Sequence, residues 1–372
     1  MGRLRRTAAF LAAGALVLGA CTDDDDDGDD AATTTEAAGG TGGDTANGEG
    51  GSGDTLDAVL EAGQIRCGTR DELPGFAVLD PATGDHVGFD VDFCRVIAAA
   101  VLGDAEDVEF VDLETDDRFT ALQAGEIDVL VRNTTWTATR DGAEGATFLQ
   151  PNFYDGQGMM VAADSGFTTL EDLAGAVVCV AGGTTTEGNV ATEFARLGLA
   201  IPEVLPFDSP DLIQAAFQED RCDGWSSDLS QLTGLRSAYP DGPEALRIFP
   251  DTFSKEPLAP AVRDGDSQWA QVVNWAVMAT IQAEEFGLTS ENVDQMLAET
   301  DNPLIRQFLG EAGEDAVLDP GLGLPADFAY QVVSQVGSYG EIYEEHIAPL
   351  GLERGLNSLW TEGGLLYAMP YR

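Results

Sequence analysis

The most informative residues for the fold are Arg118-Phe-Thr-Ala-Leu-Gln-Ala-Gly-Glu-Ile-Asp-Val-Leu-Val-Arg-Asn-Thr-Thr-Trp-Thr-Ala-Thr-Arg-Asp141. It predicts a short helix that ends at Gly125, because glycine readily adopts the left-handed conformation that closes helices. Ile127–Val131 follow as a strand too apolar to face water on either side, which is typical of a parallel sheet. The loop after this strand lies at its carboxyl end, where open α/β sheets bind ligands.

The polar side chains of this loop are candidates for a binding site. Asn133 and Thr135 offer small hydrogen-bonding groups. Arg140 offers a planar fork of donors that matches a carboxylate. The alternative for Arg140 is a solvated surface pair with Asp141.

The order strand, helix, strand, helix, strand occurs twice. The first copy begins near Cys67, and its first helix follows Gly88, with Asp90 expected as the helix cap. The second copy begins with the apolar strand Val177–Ala181. A chain that repeats this order predicts two α/β lobes, each of which brings strand ends to a shared cleft.

Alignment of the two copies places Asp228 opposite Asn133, at the strand end of the second lobe. The alternative for Asp228 is a helix cap before Leu229. Thr184 and Thr185 come at the start of the first helix of this copy, where free N–H groups favour an anion.

Further stretches occur together with this pattern. They include Arg66-Cys-Gly68, Gly88–Cys94, Tyr154–Gly158, Ser254–Leu258 and Gln335–Ile342. Together they resemble the periplasmic solute-binding proteins of amino-acid ABC transporters, and most of all the general L-amino-acid-binding branch.

This resemblance implies a type II periplasmic-binding-protein fold. In such an α/β fold, each lobe has a mostly parallel sheet flanked by helices, with a hinged cleft between the lobes. We expect the first lobe to comprise residues 55–154 plus 257–372, and the second to comprise residues 155–256.

The same resemblance implies a function and roles for the candidate residues. The protein is expected to capture a broad range of zwitterionic L-amino acids, favouring acidic and amide side chains, and to deliver them to the permease of an ABC importer. Arg140 matches the position that binds the α-carboxylate, and Asp228 the position that binds the α-ammonium. Arg118 matches a position that faces the ligand side chain. Its alternative is a surface pair with Asp116 or Asp117.

Two other classes of function share this fold. One is an exported enzyme similar to cyclohexadienyl dehydratase, in which an acid in the cleft would serve as a general acid. The other is an amino-acid sensor domain. Because the sequence contains no GxxxxGK[ST], HExxH or GxSxG motif, we expect neither an enzyme nor a cofactor.

The N-terminal residues predict export. Basic residues precede the apolar run Ala8–Gly19, which is too short to span a membrane, so residues 1–20 read as a signal peptide. Leu18-Gly-Ala-Cys21 resembles a lipobox, which makes Cys21 the expected lipid anchor and the only link to the outer face of the cell membrane. An ordinary periplasmic signal peptide with an incidental cysteine is the alternative. Residues 21–54 are acidic and rich in glycine and threonine, which predicts a disordered tether.

Charge and cysteine content narrow the choice of partners. The formal net charge is −48, so nucleic acid is excluded as a partner by repulsion from its phosphates. The four cysteines after Cys21 suggest two disulfides, for which three connectivities exist. If each bridge stays within one lobe, the pairs are Cys67–Cys94 and Cys179–Cys222. With two histidines and no CxxC pair, no metal site is expected.

Overall fold

The computed structural model describes residues 54–311 and 321–371. The predicted signal peptide, Cys21 and nearly all of the predicted tether lie outside these residues. The helices of the described chain are α1 (Asp54–Ala62), α2 (Phe89–Leu102), α3 (Arg118–Ala124), α4 (Ala138–Ala143), α5 (Thr185–Leu197), α6 (Pro210–Gln218), α7 (Leu229–Ser237), α8 (Ser267–Glu285), α9 (Val293–Glu299), α10 (Pro303–Phe308), α11 (Phe328–Gln335) and α12 (Tyr339–His346).

Most strands are short. They are β1 (Ile65–Thr69), β2 (Glu72–Leu73), β3 (Ala77–Leu79), β4 (His86–Val87), β5 (Val108–Asp112), β6 (Val129–Leu130), β7 (Ala146–Phe148), β8 (Phe153–Asp155), β9 (Gln157–Ala162), β10 (Val177–Ala181), β11 (Glu203–Phe207), β12 (Gly224–Asp228), β13 (Leu246–Ile248), β14 (Glu256–Leu258) and β15 (Ala261–Arg263). Single 3₁₀ turns occur at Leu170–Leu173, Pro243–Ala245, Ala348–Leu350, Gly355–Asn357 and Trp360–Glu362.

The strands form two five-stranded sheets of similar build, and each sheet is the centre of one lobe. The first sheet has the order β5-β1-β6-β15-β7, and the second has the order β11-β10-β12-β9-β13. In each sheet the first three strands are parallel, and the other two join them in antiparallel pairs. The predicted two-lobe α/β fold is confirmed.

The internal repeat extends to matching hydrogen bonds. Asp128 accepts a hydrogen bond from the backbone N–H of Arg66 at 2.9 Å, and Asp223 accepts one from the N–H of Val177 at 2.8 Å. Asp128 therefore fixes the start of β1, and Asp223 fixes the start of β10. This correspondence supports the alignment that places Asn133 and Asp228 at equivalent strand ends.

The chain crosses between the lobes along two paired strands. β8 and β14 form a separate antiparallel ladder, with Asp155 opposite Glu256 and Phe153 opposite Leu258. After this crossing, β15 returns to the first sheet, and α8 packs on α2 of the first lobe. The division at residues 154/155 and 256/257 stays a prediction.

Local signals explain where several elements begin and end. Gly125 closes α3 with a φ of 70°, and Ser209 caps α6 with Pro210 in its first turn. The expected cap at Asp90 is wrong, because α2 begins at Phe89 after Gly88. Asp90 thus lies in the first turn, and its carboxylate accepts a hydrogen bond from the N–H of Asn133 at 2.7 Å instead.

Each lobe contains one disulfide. Cys67 is joined to Cys94 and Cys179 to Cys222, with Cα–Cα distances of 6.0 and 5.8 Å, which is the pairing expected from the sequence. Because both bridges stay within a lobe, neither restricts motion about the crossing strands. In the described part of the chain, no helix combines the length and apolar character needed to cross a membrane.

Candidate functional site

A narrow cleft lies between the two lobes, where the carboxyl ends of both sets of parallel strands meet. All seven residues predicted to bind ligand line it. The lining comprises Arg70, Thr115, Arg118, Arg132, Asn133, Thr135, Arg140, Ala181, Thr184, Thr185, Thr186, Pro210, Ser227, Asp228 and Gln231. The structure therefore brings together the seven predicted residues, which are up to 110 positions apart in the sequence, from Arg118 to Asp228.

The loop that begins at Asn133 is fixed to a crossing strand. Thr135 pairs with Leu258 in an isolated bridge, and the N–H of Trp136 donates to the carbonyl of Pro257 at 2.8 Å. Asn133 has a φ of 31°, in the left-handed region that asparagine tolerates better than most residues. The first lobe thus presents its binding loop against the hinge.

Arg140 is buried, with 8% of its surface exposed, so the alternative of a solvated surface pair is wrong. Its Nη1 donates to the carbonyl of Thr135 at 2.9 Å, and its guanidinium lies 5.7 Å from the centre of the Phe119 ring. Burial lowers the pKa of Arg140, whereas the nearby Asp228 acts to raise it. Arg140 is therefore held in place by neutral groups and remains open to an anion.

Arg118 is buried to 3% exposure without a carboxylate partner. Its closest polar contacts are long, 3.5 Å to Thr134 Oγ1 and 3.5 Å to the carbonyl of Gly183. Its Nε has no hydrogen-bond partner, and no carboxylate of the described residues lies within ion-pair distance. Burial and then the neighbouring charge of Arg140 lower its pKa well below the ordinary value. The alternative of a surface pair with Asp116 or Asp117 is wrong.

Asp228 is the matching acid in the second lobe. It precedes α7, but its side chain makes no capping hydrogen bond. The carboxylate is 6% exposed and accepts no hydrogen bond from any described residue. Burial raises its pKa well above the ordinary value, with Asp155 adding to this effect and Arg140 opposing it. An unpartnered buried carboxylate that lines a cleft is suited to a cationic group of a ligand.

Thr184 and Thr185 use their hydroxyls within the protein. Thr184 Oγ1 donates to the carbonyl of Ala181 at 2.6 Å, and Thr185 Oγ1 donates to Glu256 at 3.0 Å. Both residues stand at the start of α5. This end of the helix lines the cleft and carries its first backbone N–H groups. What they offer a ligand is thus the helix N-terminus, which attracts anions.

Several residues that line the cleft were not predicted from the sequence, and two of them are arginines. Arg70 follows β1 and Arg132 follows β6, so the position of each after a parallel strand was a usable signal. Arg70 pairs with Glu72, and Arg132 Nε donates to the carbonyl of Leu113 at 2.8 Å. Burial and the charge of Arg70 lower the pKa of Arg132 to about 9.

The lobes touch across the cleft. Asn133 Nδ2 donates to Gln231 Oε1 at 3.2 Å, and these residues belong to different lobes. Gly183, with a φ of 64°, approaches the Asp116 carboxylate so closely that a Cβ would not fit between them. The structure therefore has a closed cleft.

One cluster outside the cleft has the composition of a metal site. Ligand atoms of Asp92, Glu345 and His346 lie within 4.8 Å of one another. Asp92, however, pairs with Arg95 at 3.0 Å and with His346 at 2.6 Å. These internal pairs account for the cluster without a metal.

The fold and cleft define a two-lobe binding protein, and comparison with known proteins identifies its family. The model of the family described as "Bacterial extracellular solute-binding proteins, family 3" matches residues 65–291 of the chain. The chain belongs to this family.

Two relatives show the extent of the similarity. The chain is 46% identical over 324 residues to the "General L-amino acid-binding periplasmic protein AapJ" of Rhizobium johnstonii, an alignment that covers 86% of this chain and 94% of the relative. It is 43% identical over 324 residues to the "Glutamate/glutamine/aspartate/asparagine-binding protein BztA" of Rhodobacter capsulatus, with 86% and 94% coverage.

Two solved structures are similar to this fold. An "ABC transporter / periplasmic binding protein from Brucella ovis with glutathione bound" is 42% identical, with a TM-score of 0.82 over 86% of this chain and 99% of that chain. An "ancestral arginine-binding protein bound to glutamine" is 32% identical, with a TM-score of 0.52 over 60% of this chain and 93% of that one.

Proposed function

We propose that this protein is the extracytoplasmic L-amino-acid-binding component of an ABC importer, and that it releases its ligand chemically unchanged to the permease. The observation that carries the proposal is that two buried ionisable groups, Arg118 and Asp228, line a closed cleft and form no ion pair with any described residue. The names of the relatives AapJ and BztA support L-amino acids as the ligand class.

Each end of the ligand has a matching group in the cleft. Arg140 and the N-terminus of α5, at Thr184 and Thr185, bind the α-carboxylate through charge-assisted hydrogen bonds. Asp228 binds the α-ammonium. Asn133 and Thr135 add polar contacts from the hinge side of the loop.

The test is calorimetry with glutamate, glutamine, aspartate, leucine, lysine and glutathione, followed by mass analysis of the recovered ligand. We expect amino acids to bind and to be recovered intact. A ligand at 100 times its Kd adds about 2.7 kcal/mol to the free energy of unfolding, so thermal shifts provide an independent readout. Binding of glutathione alone would contradict amino-acid capture, and conversion of any ligand would indicate an enzyme.

We expect Arg118→Ala to change selectivity rather than binding in general. Arg118 has no acidic partner, so an acidic or amide side chain of the ligand supplies one, and BztA is named for such ligands. Loss of a hydrogen bond to a charged group costs about 1.5–3 kcal/mol, or roughly 10- to 150-fold in Kd. Calorimetry should show this loss for glutamate and glutamine but not for leucine. An equal change for all three would remove Arg118 from the side-chain pocket.

Anchoring rests on the sequence Leu18-Gly-Ala-Cys21 ahead of an acidic tether. We propose that Cys21 carries lipid after export and holds the binding domain near its permease. The variant Cys21→Ser should then appear in the soluble fraction, because a polar tether cannot replace the acyl chains. Cell fractionation measures this directly, with Thr22→Ser as a control that changes the neighbouring residue but keeps the cysteine. Retention of the Cys21→Ser protein on membranes would contradict the proposal.

A further inference from the structure

Three carboxylates lie near one another where the chain crosses between the lobes, and one of them, Asp228, lines the cleft. Asp155 and Glu256 are direct partners across the crossing strands β8 and β14. Ser230, two residues after Asp228, donates both its N–H, at 3.2 Å, and its hydroxyl to Asp155. Asp228 and Glu256 are buried, and Asp155 is partly buried.

No arginine or lysine of the described chain forms an ion pair with any of these carboxylates. The hydrogen bonds that Glu256 accepts come from neutral groups, Thr185 Oγ1, Asn189 Nδ2 and Ser254 Oγ. Asp228 accepts none. Arg140 and Arg118 face Asp228 from the first lobe and are the positive charges that act on it.

Like charges that share a low-dielectric site oppose each other's ionisation. Burial raises the pKa of Asp228 well above its ordinary value, Asp155 and Glu256 raise it further, and Arg140 and Arg118 lower it. Burial also raises the pKa of Asp155 to about 6, with Ser230 opposing and Glu256 adding to the effect. At mildly acidic pH, the neighbouring carboxylates Asp155 and Asp228 therefore favour a bound proton.

We propose that Asp228 and Asp155 share a proton in the ligand-free cleft, with Glu256 beside them, and that the ammonium group of the ligand displaces this proton when it binds. This inference rests on the proposed function. The O–H bond of the carboxylic acid breaks, the proton passes to the solvent, and the ammonium takes its place as the positive charge. Asp155 and Glu256 are thus positioning residues that select for a cationic amine at the hinge.

The sign of the pH dependence follows from this exchange. Below the raised pKa, the ammonium must compete with the proton, so affinity rises with pH by up to about tenfold per unit. Above it, the carboxylate is already ionised, and affinity no longer depends on pH. Asp90, whose burial raises its pKa to about 6, faces Asn133 on the other side of the cleft. A pH profile alone would not separate these acids, so a variant is needed.

The experiment is calorimetry of the full chain with L-glutamine in two buffers of different ionisation heat, at about pH 5.5 and about pH 8. We expect proton release at the lower pH and little at the higher one. In Asp155→Asn, release should fall and the pH dependence of Kd should flatten, whereas the exposed control Asp223→Asn should behave as wild type. Glu256→Gln repeats the test at the opposite strand if Asp155→Asn does not fold.

The outcomes separate this inference from the proposed function. Binding of L-glutamine with heats that do not depend on the buffer at the lower pH overturns the shared proton and leaves amino-acid binding intact. Unchanged proton release in both Asp155→Asn and Glu256→Gln overturns the role of the hinge acids. A wild-type protein that binds no amino acid at either pH overturns the proposed function itself.

Discussion

Asp228→Asn is expected to weaken the binding of every amino acid by roughly 30-fold to several-thousand-fold. Asp228 is 6% exposed, and its carboxylate accepts no hydrogen bond from the described residues, so we propose the ligand ammonium as its partner in the complex. Truncation of one member of a buried charge pair costs about 2–5 kcal/mol, which gives this range of Kd. Because all amino acids share the ammonium, the loss should be similar for glutamate, glutamine and leucine.

Calorimetry with these three ligands measures the effect at about pH 8, the higher pH of the proton-release experiment. Asp223→Asn is the matched control. It makes the same chemical change in the same lobe, at an exposed carboxylate that holds the start of β10. A loss of affinity that is equal in both variants would mean that the effect is general destabilisation. Full affinity in Asp228→Asn would remove this residue from the site.

The fold was predictable because its signals are local. Gly125 and Pro210 mark a helix end and a helix start, and the buried strands are apolar runs between such marks. The order of elements then fixes the sheet, since parallel strands linked by helices place their carboxyl ends on one edge. The candidate site followed from the same rule, because Asn133 lies shortly beyond β6 and Asp228 is the last residue of β12.

The remaining features depend on contacts between distant parts of the chain. Glu256 was not predicted as a site residue, and only its pairing with Asp155 across the hinge brings it near Asp228. Asp90 has the sequence context of a helix cap, yet the approach of the Asn133 loop gives its carboxylate a different partner. Neither contact follows from local propensity or from hydrophobic periodicity.

Arg140 and Arg118 show where position alone is ambiguous. Both are buried, and both lie near the Phe119 ring. The positive charge of Arg140 helps to lower the pKa of Arg118. What distinguishes them is how each is held. Arg140 is fixed by a short hydrogen bond to the carbonyl of Thr135, whereas the contacts of Arg118 are at the 3.5 Å limit. This difference supports the proposal that Arg140 binds the α-carboxylate, which all ligands share, and that Arg118 faces the variable side chain.

Arg140→Ala is therefore expected to weaken all amino acids together, by the same roughly 30-fold to several-thousand-fold as Asp228→Asn, because every ligand carries the α-carboxylate. Arg140→Lys should recover only part of the loss, since lysine keeps the charge but lacks the planar fork that binds both carboxylate oxygens. Calorimetry with glutamate and leucine distinguishes the roles, with the exposed Arg247→Ala as a control in the second lobe. If Arg140→Ala weakens glutamate alone while Arg118→Ala weakens both ligands, the two arginines exchange roles, and the α-carboxylate lies at the Arg118 end of the cleft.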